Sequence, residues 1–146
     1  MNEMRLRTVL LVASAYHLIL GAFMFFAPGP FYDSVAEFPP RNDHFIKDIS
    51  TFYIALGIVL YISVRRSSWR VPILFFATVE YAIHAINHLI DVGDAVSDGK
   101  GWFNFFSISL LTLILAALTT FAWRVNPEPD AEPEPEPTDE SLHSRS

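Results

Sequence analysis

Residues 79–91 read VEYAIHAINHLID. The segment lies inside a run apolar enough to cross a membrane, yet it carries Glu80, His84, Asn87, His88 and Asp91. On a helix, at about 100° per residue, these five positions fall within about 100° of arc and form one stripe. A stripe of this kind does not face lipid, because each ionisable group near the bilayer centre costs about 2.5–3.5 kcal/mol. It is therefore expected to face a bundle interior or a water-filled cavity, and other helices must supply the cover.

Three further segments have the required length. Residues 8–28 (TVLLVASAYHLILGAFMFFAP) carry no formally charged side chain. At about 1.5 Å per residue they cover a hydrocarbon core of about 30 Å. A cleaved leader would end in small residues, whereas this run ends in FMFF at 23–26, so a retained helix is expected. Residues 49–64 are shorter and reach across only if 44–48 continue the helix outward, which gives a span of about 45–64. Residues 102–123 are uncharged and bracketed by Trp102 and Trp123, as interfacial anchors would be. With the span at 71–91 this predicts an all-α, four-helix transmembrane bundle over residues 1–124. Gly21 and Gly57 are expected at close helix contacts.

The chain has no cysteine, which excludes disulfides, zinc–thiolate sites, iron–sulfur clusters and c-type haem attachment. The net charge of −6 belongs to the end of the chain. Residues 125–146 hold seven acids against Arg145, while 1–124 hold nine acids and nine bases. That end, NPEPDAEPEPEPTDE, alternates Pro with acid and is expected to be a disordered tail. No basic groove exists for nucleic acid, so the expected surroundings are a lipid bilayer and, at most, a membrane complex or a homodimer. Arg5, Arg7, Arg65, Arg66, Arg70 and Arg124 fall on one side, and Arg41, Lys47 and Lys100 on the other. The excess of cations predicts a plasma-membrane protein with both termini cytoplasmic.

Depth follows from helix rise. His17 lies nine residues after Thr8, and Glu80 nine after Val71. Both are expected about 14 Å into the membrane, as partners able to share a proton. The second span enters through NDHFIKD at 42–48, where His44 and Asp48 share a face and Asp48 suits the first helical turn. The outer half of the bundle is thus expected to gather His44, Asp48, Tyr53, His84, Asn87, His88 and Asp91 above a floor of His17 and Glu80. The i, i+4 pair His84 and His88 has the spacing of two metal ligands on one helix. The pattern demands no cofactor, and it admits a transition metal or haem. The loop at 29–43, stiffened by Pro39-Pro40, is expected simply to pack at the outer interface.

The turn PFYD, the segment NDHFIKDIS followed by FYIALGI, and Y-x-x-H-x-x-x-H on the third span together resemble a group of small four-helix membrane proteins of actinobacteria, DoxX-like in hydropathy. The resemblance covers about residues 8–123. It implies the fold and a shared polar cluster around Asn42, Asp43, His44, Lys47 and Asp48, but no reaction. Three functions remain open: an accessory or small-molecule-binding membrane protein, a metal or haem redox protein using His84 and His88, and a lipid-acting enzyme with Glu80 and His17 as candidate catalytic groups.

Overall fold

A computed structural model of the chain describes residues 3–125. The expected acidic tail, from residue 126 on, lies outside the described residues. The elements are α1 (Glu3–Phe26), a single turn α2 (Pro28–Phe31), a π-helical turn (Tyr32–Ala36), α3 (Asp43–Arg65), a 3-10 turn (Ser67–Trp69), α4 (Arg70–Ile90), a second 3-10 turn (Val92–Asp94) and α5 (Asp98–Val125). Four of these helical stretches are long and apolar enough to cross a membrane.

Local chemistry sets the boundaries. Pro28 has no N–H and restricts Ala27, so α1 stops at Phe26, two residues short of the expected end. At its other end α1 is already helical at Glu3, the first described residue and five before Thr8, and Glu3 and Arg7 pair across one turn at 3.0 Å. Asn42 caps α3, its side chain accepting from the Phe45 N–H at 3.0 Å. The helix runs through 44–48 and has the length that residues 49–64 lack alone. α5 starts at Asp98, four residues before Trp102, with an acid in its first turn.

The helices run up and down in sequence, with α1 packed chiefly on α3, and α4 on α5. In the first pair Ser14 donates to the Gly57 carbonyl at 2.8 Å, seven residues before Gly21 meets Ile54. In the second, Thr78 meets Thr119 at 3.0 Å while Gly101 closes on the Val92 carbonyl. Both pairings are antiparallel. α1 and α4 are parallel neighbours reached by long side chains, Glu3 to Arg70 and His17 to Tyr81. The core is a narrow column of Leu6, Leu10, Leu56, Leu60, Leu74 and Leu115. Large side chains such as Phe26, Ile83, Phe103 and Leu113 point outward, as a lipid environment permits.

Each end of the bundle is tied. At one end the buried Arg70 guanidinium donates to both Glu3 carboxylate oxygens at 2.9 Å, and its Nε to the Ser63 carbonyl at 3.1 Å. This fork joins α1, α3 and α4 and offsets a cation at the positive end of a helix. At the other end Glu37 pairs with Lys100, and its carbonyl accepts from the Val96 N–H at 3.0 Å. Glu37 adopts a left-handed conformation, φ 48°, and turns the chain after the π-helical segment. Arg41 grips Asp43 through two bonds of 2.5 and 2.8 Å, and that carboxylate raises the pKa of the Arg41 guanidinium.

Candidate functional site

The fully buried stripe of α4 is Arg70, Leu74, Ala77, Tyr81 and Ala85. The polar row does not coincide with it. At about 100° per residue, Glu80, His84, His88 and Asp91 centre about 65° further round the helix. The row occupies the rim of the core. Glu80 and His84 keep 25% and 31% of their side-chain area exposed, His88 and Asp91 are half-buried, and Asn87 is exposed. The stripe turns away from lipid only in part. The central angle of α4 belongs instead to Arg70, Leu74, Ala77, Tyr81 and Ala85, from which Arg70 and Tyr81 reach across to α1.

His17 is 1% exposed, and its partner is not Glu80. Its Nδ1 lies 2.7 Å from the Ala13 carbonyl, and its Nε2 2.9 Å from the Tyr81 hydroxyl. A carbonyl only accepts, so Nδ1 carries the proton and Tyr81 donates to Nε2. The Tyr53 ring stacks on His17 at 6.0 Å, with Tyr16 and Tyr81 edge-on at 5.2 and 5.8 Å. The expected Glu80–His17 contact is therefore replaced by a buried His–Tyr cluster. The expected depth matches, since Tyr81 is the residue after Glu80, but one residue is 100° of azimuth.

Along α4 the polar side chains form a file. Glu80 Oε1 lies 3.8 Å from His84 Nδ1, and His84 Nε2 lies 3.1 Å from His88 Nε2. Asp91 follows three residues after His88 at the end of the file. Phe38 of the first loop stands edge-on to the His88 ring at 5.0 Å. The Glu37–Lys100 pair and the Val96 bond hold that loop in place. Two atoms of the file, Glu80 Oε2 and His88 Nδ1, are sealed from solvent without a hydrogen-bond partner.

His44 and Asp48 do not join this file. They pair with each other at 3.4 Å on the outer face, with 87% and 62% of their side chains exposed. α3 packs through Ile46, Ser50 and Tyr53, and His44 and Asp48 lie on the opposite side of the helix. Tyr53 is buried with His17 rather than with the outer group. The expected outer gathering thus contracts to Glu80, His84, His88 and Asp91 on one helix. Among the described residues no three His, Asp or Glu side chains converge to hold a metal by themselves. A haem with two axial histidines is also a poor fit, because such ligands bind from opposite faces of the iron and these two converge from one helix.

Sequence reasoning did not find Phe38, Tyr81 or the Arg70–Glu3 fork. Tyr81 was visible within the quoted segment as the only hydroxyl facing the core angle; Phe38 depends on loop geometry and the fork on how α1 and α4 meet. The fold and the file together define a four-helix protein of membrane-spanning dimensions with a protonatable row at the rim of its core. No family model, no curated protein and no solved structure matches the chain.

Proposed function

We propose that the protein is an accessory membrane protein that holds a small ligand at the Glu80–His84–His88 file. In this reading it spans the plasma membrane with both termini cytoplasmic, and the file opens outward beneath Phe38. The excess of Arg at the end closed by the Arg70–Glu3 fork supports that orientation. Membership of the actinobacterial four-helix group remains part of the proposal and rests on the PFYD, NDHFIKD and Y-x-x-H-x-x-x-H segments.

One observation carries the ligand reading: Glu80 Oε2 and His88 Nδ1 are sealed and unpaired. A buried polar group without a partner costs about 1–3 kcal/mol. Residues kept only to glue helices together would be satisfied; residues kept for a ligand tolerate the cost until it arrives. The acid–base reading for Glu80 and His17 lacks comparable support, since both ring nitrogens of His17 are engaged within the core.

The test is thermal unfolding of the purified full chain in detergent. Glu80→Leu, His84→Leu and His88→Leu are expected to leave Tm unchanged or raise it, as removal of unsatisfied groups does. A fall of more than about 5 °C for each, the size expected when about 1 kcal/mol of helix-bridging contact is lost, would show that the file is structural and end this reading.

A further inference from the structure

We infer that the ligand of the file is a late first-row divalent metal ion, bound by His84 Nε2 and His88 Nε2. This inference rests on the ligand-site reading above and names the ligand's class. The two Nε2 atoms point at each other at 3.1 Å. Two imidazole nitrogens bound at about 2.0 Å to one ion stand about 2.8 Å apart in adjacent positions of a square-planar site and about 3.3 Å apart in a tetrahedral one. The observed spacing falls between these values, so an ion could insert with small movements of the two rings.

The surroundings are arranged as metal-bound histidines require. A ligating imidazole donates its other N–H to a carboxylate, which fixes the tautomer and raises its basicity. His84 presents Nδ1 to Glu80 at 3.8 Å, so the first histidine of the pair has a carboxylate one turn away, on the side remote from the shared gap. The proton count closes. With both rings neutral, one Nε2–H now donates to the other Nε2; on binding, that proton moves to the same ring's Nδ1, and none is lost. His88 Nδ1, sealed and unpaired without the ion, then carries that ring's N–H.

The chain supplies two nitrogen ligands, so solvent or an external small ligand completes the coordination. Among divalent ions of this row Cu2+ binds such a site most tightly. Phe38 roofs His88 with an apolar edge and limits access to the loop end of the file.

The experiment is titration of the metal-free full chain in detergent with Cu2+, followed by calorimetry and by electron paramagnetic resonance. The His44→Ala, His143→Ala background removes the exposed histidines from the count. One Cu2+ per chain with splitting from two nitrogens is expected. His84→Leu and His88→Leu should each weaken binding at least tenfold and remove one nitrogen, and Glu80→Gln should weaken it about tenfold while both nitrogens stay. No stoichiometric binding, or binding indifferent to positions 84 and 88, overturns the inference. If binding is absent while the leucine variants keep or raise Tm, the metal is wrong and the ligand site stands. If the leucine variants unfold early, the site reading itself has failed.

Discussion

At the scale of the residue, His17 shows how a buried ionisable group is kept quiet in an apolar setting. Ala13 takes its proton and Tyr81 fills its lone pair, so neither nitrogen is left unmet. Tyr81→Phe removes the only partner of Nε2 in a pocket closed to solvent and is expected to cost about 1–3 kcal/mol. Chemical unfolding in detergent measures it; stability equal to the parent protein would show that the hydroxyl is not the partner. The height of His17 could be read from the sequence by counting rise from the ends of two spans. Its partner could not, because neighbouring residues share a height but differ by 100° in direction. The same limit explains Glu80, whose level was legible and whose place at the rim was not.

At the scale of the element, the spans were legible because length and hydropathy are properties of the segment alone. Gly21 and Gly57 were also legible as contact points between helices. A Cβ at Gly57 would stand 2.7 Å from Leu18 Cγ and 3.0 Å from the Leu18 backbone nitrogen, and one at Gly21 would stand 2.7 Å from Ile54 Cγ1. Small residues thus let α1 and α3 approach closely, as they do between membrane helices. Gly57→Val forces that pair apart and is expected to cost about 1–3 kcal/mol. Ser14→Ala, which only removes a donor to the Gly57 carbonyl, is expected to cost about 0.6 kcal/mol. Unfolding of the two variants side by side checks the order; equal losses would mean that backbone approach is not what holds α1 to α3. The exposure of His44 and Asp48 escaped sequence reasoning for a related reason: they were matched to α4 by height alone, whereas helix periodicity puts them roughly opposite the buried Ile46, Ser50 and Tyr53.

At the scale of the whole molecule, two ties close a narrow core. The Arg70 fork draws α1, α3 and α4 together at one end, and Glu37 with Lys100 draws the two loops together at the other. The segregation of Arg65, Arg66 and Arg70 from Lys47 and Lys100 could be read as a pattern of charge. That one of those arginines is buried and forked could not, since burial depends on how the helices meet. Between the ties, the rim of α4 holds a half-buried file of ionisable side chains, two of whose atoms are sealed, and Phe38 stands at its end.

The central claim is that this file is reached from the outer side, past Phe38. Because the chain has no cysteine, a single introduced one reports its own surroundings. The direct measurement is the rate at which a membrane-impermeant maleimide labels single-cysteine chains in intact cells. His88→Cys is expected to react from outside, and faster when combined with Phe38→Ala, while Leu74→Cys stays unlabelled. Labelling at position 88 only after the cells are permeabilised, or unaffected by the loss of Phe38, would contradict the account.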